Sequence, residues 1–263
     1  MKIAVIGNPK IKNIQDVINN IISVLNKSGL ECNNVNLDKL ESGYDFVCAI
    51  GGDGTILKTS RFYAKFSTPV MGINVGRLGF LSSITPEEIE QLGEIISKRQ
   101  YVTEDRTMLK SGKFQALNDI VVKGHSNIRS SKFNLYINEK LICKYVADGI
   151  IVSTPTGSTA YGLSAGGPII HPSLETMLIV PICAHTMTAR PLVVPITEKI
   201  TIKSEDELLD ASSDGQERIT AEKEIVIEQA DYKAKLVFPN GDNNFYSILK
   251  TKLYWGVSPV SEN

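Results

Sequence analysis

The stretch Phe46-Val47-Cys48-Ala49-Ile50-Gly51-Gly52-Asp53-Gly54-Thr55 sets an unbroken apolar run against a turn of three glycines and one carboxylate. The apolar run reads as a strand. The glycines after it let the backbone turn sharply, with positive φ where needed, and approach a bulky anion without side-chain obstruction. Thr55-Ile56-Leu57-Lys58 reads as the start of a helix, whose backbone N–H groups would point at that anion. Asp53 is the odd member, because a carboxylate beside a phosphate is repulsive unless it binds a metal ion or takes a proton from a nucleophile. Together these residues suggest phosphoryl transfer. The plainer reading of the same residues is a structural turn. The segment has neither the Gly-Lys-Ser/Thr ending nor the Gly-x-Gly-x-x-Gly spacing of the usual nucleotide fingerprints.

Outward from this turn, strands and helices alternate. Residues 2–6 form an apolar strand broken by Gly7-Asn8-Pro9, and Ile14, Val17, Ile18, Ile21, Ile22 and Leu25 recur at helical spacing up to Ser28-Gly29. Strands at 45–50 and 69–73 flank a helix at about 55–66, and a further helix runs from Pro86 to about Ser97. Thr85-Pro86-Glu87-Glu88 supplies its N-cap, a proline at the first helical position and a glutamate to complete a capping box. This alternation predicts a Rossmann-like parallel sheet with helices on its faces, binding ligands beyond its carboxyl edge. Both the glycine turn and the loop Asn74–Phe80 fall on that edge. In that loop Arg77 is either a phosphate contact or a surface arginine, and Phe80 either borders a pocket or anchors the loop. Lys58 and Arg61, neighbours on the predicted helix, read as a solvated face.

From about residue 100 the texture changes to short β-type runs: 119–123, 132–137, 141–146, 149–153, 178–183, 192–196, 199–203, 224–228 and 233–238. Asn138-Glu139-Lys140 reads as a hairpin connection. The expectation is an α/β domain over 1–98, an antiparallel β-sandwich-like domain over 99–240, and a segment 241–263 returning to the first domain, with Phe245–Leu253 as helix or strand.

Composition sets the class. With 42% hydrophobic and 22% charged residues, 263 residues suffice for one large core or two moderate ones. A net charge of −1 gives no general attraction to nucleic acid or acidic membrane. Cys32, Cys48, Cys143 and Cys183 show no Cys-x-x-Cys spacing and read as reduced thiols, Cys48 and Cys183 being buried within apolar runs. The N-terminal stretch Met1–Gly7 has too short an apolar run for a signal peptide and no later run approaches a membrane span, so a cytoplasmic location is expected. His125, His171 and His185 lack metal-ligand spacing, and His171 before Pro172 reads as a loop hydrogen-bonding residue.

A second glycine-rich cluster runs from Asp148-Gly149 through Thr154-Pro155-Thr156-Gly157-Ser158-Thr159-Ala160-Tyr161 to Ser164-Ala165-Gly166-Gly167-Pro168. Its hydroxyls and close-approaching backbone suit a polar ligand, and Tyr161 could stack on an aromatic base. The alternative is a tight turn with a core tyrosine.

In order and spacing, the Gly51–Thr55 motif, the Asn118-Asp119 pair and this long second motif resemble the NAD kinases over nearly the whole chain. Diacylglycerol-type lipid kinases and phosphofructokinases share a similar Gly-Gly-Asp-Gly element, so the second motif is the more specific. The resemblance implies transfer of the γ-phosphoryl of ATP, or of polyphosphate, to the 2′-hydroxyl of the adenosine ribose of NAD, giving NADP. A divalent ion, Mg²⁺ or Mn²⁺, would arrive with the nucleotide rather than on a dedicated metal site. By the same resemblance Asp53 accepts the hydroxyl proton, and Gly51, Gly52, Gly54 and Thr55 form the phosphate-donor loop. The NAD site would comprise Asp53, Gly54, Asn118, Asp119, Asp148, Thr156, Thr159, Ala160, Tyr161, Ser164, Ala184 and Gln216. The family commonly has Asn-Glu where this chain has Asn118-Asp119, a carboxylate shorter by one methylene. The resemblance also implies a homodimer or homotetramer in which neighbouring β domains help close the site.

Two other readings compete. A lipid kinase would share the glycine turn, but the hydroxyl-rich loop suits a polar dinucleotide and no basic-apolar surface for a bilayer is evident. A non-catalytic NAD(P)-binding regulator would share the fold, yet an anion-binding loop gains nothing from Asp53 at its centre.

Overall fold

In the computed structural model the described residues are 1–76, 79–126, 130–186, 188–239 and 245–254. The chain divides into two compact units, residues 1–104 with 235–263, and residues 105–234.

The first unit opens with β1 (Lys2–Gly7), α1 (Ile14–Lys27), β2 (Glu31–Asn34), β3 (Phe46–Ile50), α2 (Asp53–Ala64) and β4 (Val70–Ile73). A 3-10 turn at Pro86–Gln91 leads into α3 (Leu92–Ser97), and β5 (Tyr101–Arg106) follows. β1, β2, β3 and β4 pair in parallel. Every residue of β3 and β4 is buried, so both sheet faces are covered. On one face Ile3, Val5, Cys48, Ile50, Met71 and Ile73 pack with Ile18, Ile21 and Leu25 of α1 and Leu92, Ile95 and Ile96 around α3. α2 covers the other face, where Ile56 Cδ1 lies so close over Gly72 that a Cβ there would stand 2.6 Å away. Each fully buried Ile or Leu side chain contributes about 1.5–3 kcal/mol. The expected capping box is present, with the Thr85 N–H donating to Glu88 Oε2 at 2.8 Å. The helix it starts is 3-10 for its first six residues, not continuous α-helix.

The second unit holds β6 (Leu109–Ser111), β7 (Phe114–Ala116), β8 (Asp119–Gly124), β9 (Ser131–Ile137), β10 (Lys140–Ala147) and β11 (Gly149–Ser153). The short helix α4 (Tyr161–Ser164) precedes β12 (Thr176–Ile182), β13 (Leu192–Pro195), β14 (Ile200–Lys203), β15 (Leu209–Ser213), β16 (Glu217–Glu222) and β17 (Glu224–Gln229). They form two six-stranded sheets, in the orders β10-β9-β14-β17-β6-β7 and β13-β12-β11-β8-β15-β16. One apolar cluster joins Phe133, Leu135, Ile200, Ile202, Ile225 and Ile227 of the first sheet to Ile120, Val122, Ile150, Val152, Met177 and Ile179 of the second, which makes the unit a β-sandwich. The alternate residues Val121, Ile151, Leu178 and Val180 bury against Ile170 on the outer face. β9 and β10 join through Asn138 and Glu139, both with positive φ, as the hairpin reading expected.

The chain then returns to the first unit through β18 (Ala234–Pro239) and α5 (Phe245–Leu253). β18 pairs in parallel with β4 and stands between β4 and β5 in the first sheet. Stretches assigned from sequence to the β domain, 99–104 and 235–239, thus belong to the first unit, because both carry strands of its sheet. Among the described residues no helix is long and apolar enough to cross a membrane.

Two sequence expectations fail on burial. Cys183 is exposed, because β12 ends at Ile182 and a positive φ of 47° at Cys183 turns the chain outward. Arg61 is buried on α2 instead of lying on a solvated face. All four cysteines are free, and burial pushes the Cys32 thiol up to about 11.

Candidate functional site

In the first unit the ends of β1, β3 and β4 bring Asn8, the glycine turn and the loop after Ile73 to the carboxyl edge of the sheet. Gly51, with φ of 156°, donates its N–H to the Ile73 carbonyl at 3.0 Å, and a Cβ there would lie 2.6 Å from Thr55 Oγ1. Glycine is therefore required by both conformation and space. The helix starts at Asp53, two residues before the sequence reading placed it, so Asp53 and Gly54 belong to its first turn. Asn8 Nδ2 donates to Thr55 Oγ1 at 3.0 Å, joining two turns of this edge.

The half-buried Asp53 carboxylate is held by the loop after β4. Its Oδ2 accepts the Phe80 N–H at 3.0 Å and its Oδ1 accepts the Leu81 N–H at 3.2 Å. Gly79 makes this approach possible, since a Cβ at that position would lie 1.9 Å from Asp53 Oδ1. Phe80 thus serves the turn through its backbone, and Arg77 lies outside the described residues. Beside the turn, Asn8, Lys10, Asp38, Gly52, Gly54, Thr55 and Lys58 line a cleft of about 290 Å³. Lys58 there pairs with Asp38 at 2.8 Å. A helix N-terminus with two lysines in one cleft suits an anionic group.

In the second unit one end of the β13–β16 sheet gathers the start of β8 and the ends of β11 and β15. The Asn118 carbonyl accepts the Thr154 N–H at 2.8 Å and the Ser153 hydroxyl at 3.1 Å, and Thr154 Oγ1 donates to the Leu117 carbonyl at 2.6 Å. Gly157 lies against the same backbone, where a Cβ would stand 2.1 Å from the Asn118 oxygen. Asn118-Asp119 and the loop beginning at Thr154 are therefore one packed assembly. Asp119 is buried, and burial first and the Asp214 charge second push its carboxyl up to about 7. Arg106 Nη1 donates to the buried Thr156 Oγ1 at 3.3 Å. Thr159 Oγ1 donates to the Thr156 carbonyl, while Tyr161 and Ser164 stand exposed on α4. Gln216 lies in the β15–β16 turn, its N–H bonded to the Ser213 carbonyl at 2.9 Å.

Asp148 and Ala184 are elsewhere. They flank the opposite end of β11 and β12, where the Asp148 N–H donates to the Ile182 carbonyl. Six residue steps of extended chain, about 20 Å, separate Asp148 from Thr154. At that end Ser130 Oγ donates to Asp148 Oδ1 at 2.9 Å and lies 2.8 Å from His185 Nε2. His185, Arg190 and Lys144 help line an adjoining cavity of about 540 Å³. His171 Nδ1 bonds Ser173 Oγ at 2.7 Å, the loop role expected of it, and His125 Nδ1 meets Asp210 at 2.8 Å. Among the described residues no group of three or more His, Cys, Asp or Glu could hold a metal ion.

Sequence reasoning missed Gly79, Arg106 and Asp214. The Asp214-Gly215 dipeptide between two strands is a hairpin signal that would have placed Asp214; the contacts of Gly79 and Arg106 are tertiary and left no local trace.

An α/β unit with a glycine turn and an oriented carboxylate, coupled in one chain to a β-sandwich unit with a hydroxyl-rich loop, describes a two-domain phosphotransferase. The ATP-NAD kinase N-terminal domain matches residues 22–101 and the ATP-NAD kinase C-terminal domain matches residues 117–238. An NAD kinase of Pseudomonas putida is 40% identical over 226 residues, covering 81% of this chain and 76% of that protein. One from Clostridium botulinum is 41% identical over 230 residues, covering 82% and 81%. The crystal structure of an NAD kinase from Archaeoglobus fulgidus in complex with ATP superposes with a TM-score of 0.79 at 28% identity, over 95% of this chain and 97% of that one. Yeast NADH kinase complexed with NADH shares the fold, with a TM-score of 0.85 at 24% identity over 100% of this chain and 90% of that one. The chain belongs to the NAD kinase family.

Proposed function

We propose that this chain transfers the γ-phosphoryl of ATP, or a phosphoryl of polyphosphate, to the 2′-hydroxyl of the adenosine ribose of NAD, with Asp53 as the general base. The observation that carries the assignment of Asp53 is its carboxylate, placed in the first turn of α2 and oriented by the Phe80 and Leu81 N–H groups. As the base it accepts the hydroxyl proton while the ribose oxygen attacks phosphorus and the donor's bridging oxygen leaves with its electron pair. The cleft at Gly52, Gly54, Thr55, Lys10 and Lys58 suits the donor phosphates. Asn118, Asp119, Thr156, Thr159, Ala160, Tyr161, Ser164 and Gln216 serve NAD, the Tyr161 ring being exposed and open to stacking. Asp148 and Ala184, at the far end of the sandwich, serve NAD from a second copy of the chain in a homodimer or homotetramer. A cytoplasmic location goes with this reading.

A coupled assay with ATP, Mg²⁺ and NAD that reads NADP tests the reaction: no NADP, with NAD still bound, would favour a non-catalytic binder, and phosphorylation of diacylglycerol instead would favour a lipid kinase. The divalent ion enters as the nucleotide complex. Chelation by EDTA is expected to stop turnover without moving the melting temperature, and Mg²⁺ or Mn²⁺ to restore it; a large drop in melting temperature would reveal a structural metal instead.

Removing the Asn118 side chain leaves ligand polar atoms unpaired at a cost of about 1–3 kcal/mol, roughly ten- to a hundredfold in affinity. Asn118→Ala is therefore expected to raise the apparent KM for NAD by that factor and leave the KM for ATP nearly unchanged. Weakened ATP use with normal NAD use would reverse the assignment.

A further inference from the structure

The turn joining β15 to β16 has Asp214 at φ 49° and Gly215 at φ 64°, closed by the Gln216 N–H on the Ser213 carbonyl at 2.9 Å. The β-turn Ser213–Gln216 thus has both central residues left-handed, a conformation for which Asn-Gly and Asp-Gly are the favoured pairs. For the turn alone, asparagine would serve as well. Aspartate adds a second acceptor oxygen and a charge. Oδ1 of Asp214 accepts the N–H groups of Asn118 at 2.8 Å and Asp119 at 3.1 Å, and Oδ2 accepts that of Leu117 at 3.0 Å. The Asp214 N–H returns to the Asp119 carbonyl at 2.9 Å. Hydrogen bonds to an ionised acceptor are roughly twice as strong as neutral ones. On the other side, the Asn118 carbonyl is held by Thr154 and Ser153. With donor and acceptor both fixed, the direction of the Asn118 side chain follows.

We propose that Asp214 is a positioning residue for NAD, gripping three consecutive backbone N–H groups so that Asn118 and Asp119 present their side chains in the binding direction. The inference rests on the reading of that pair as part of the NAD site. Asp214 is not itself a ligand contact in this account; it acts through the backbone of Leu117–Asp119. The arrangement places its charge beside the buried Asp119 carboxyl, the neighbour that it holds up on the pH scale together with burial.

Asp214→Asn in the full chain separates positioning from turn formation, because Asn-Gly keeps the turn while one acceptor oxygen becomes an NH₂ that cannot receive an N–H. The expected result is a melting temperature within a few degrees of the parent, an apparent KM for NAD raised roughly tenfold or more, and an unchanged KM for ATP. A second readout is the pH profile of the KM for NAD. Removing the Asp214 charge takes away one of the two causes that raise Asp119, so an inflection near the parent's value of about 7 is expected to move to lower pH. Parent values of both KM and pH profile would show Asp214 to be only a turn former and overturn the proposal. Equal weakening for both substrates, or loss of the melting transition, would also overturn it by showing general structural support. If the parent protein forms no NADP, the NAD-site reading itself fails and the inference falls with it.

Discussion

Asp53→Asn is expected to lower turnover by about 10²–10⁴-fold, the usual contribution of a general base, while NAD affinity stays within a few-fold. Asparagine matches aspartate in shape, and the site around it is built of backbone. The Phe80 and Leu81 N–H groups that fix the carboxylate remain in place, although one of them now faces an amide NH₂. Binding is therefore preserved where chemistry is not. Steady-state turnover with ATP and NAD, beside calorimetric titration of NAD, reads the two separately. A variant keeping more than about a tenth of the parental rate would remove Asp53 from the role of base.

Gly79→Ala is expected to damage the reaction almost as severely without unfolding the protein. The added Cβ would stand 1.9 Å from Oδ1 and 2.7 Å from Cγ of Asp53, a separation that non-bonded atoms do not tolerate. What stands in the way is the end of a side chain, so the carboxylate can rotate aside while the sheet and α2 keep their packing. A displacement of about 1 Å in a reacting group can cost on the order of 10²-fold in rate. We expect turnover to fall by about that factor and the melting temperature to change by only a few degrees. Normal turnover in this variant would mean that the carboxylate orientation set by Phe80 and Leu81 does not matter to the reaction.

Much of the architecture was legible because the strands that organise it are buried on both faces. Phe46–Ile50 and Gly149–Ser153 read as continuous apolar runs for that reason. The strands that escaped notice include those with little to bury. β2, Glu-Cys-Asn-Asn, and β16, Glu-Arg-Ile-Thr-Ala-Glu, are sheet edges with hardly a buried residue, and their pairing is written in the partner strand instead. Residues close in sequence misled most. Asp148 and Thr154 belong to one motif, yet the strand between them carries them to opposite ends of a sheet. Conversely Asp214 and Asn118, 96 positions apart, are bonded directly. Hydrophobic patterning records which faces are buried, and it carries no mark of which loops a sheet brings together.

The place of β18 between β4 and β5 has a consequence for synthesis on the ribosome. Residues 105–234 form the sandwich and emerge in one continuous run, but the first sheet cannot close until Ala234–Pro239 has been made. Between release of β5 and arrival of β18 the ribosome adds more than 130 residues, which at about 5–20 residues per second takes on the order of 7–27 s. Throughout that interval the nascent chain carries β4, Val-Met-Gly-Ile, as an apolar edge with its partner not yet made. The insertion thus makes the unit that carries the glycine turn the last to mature, although it is the first to be translated.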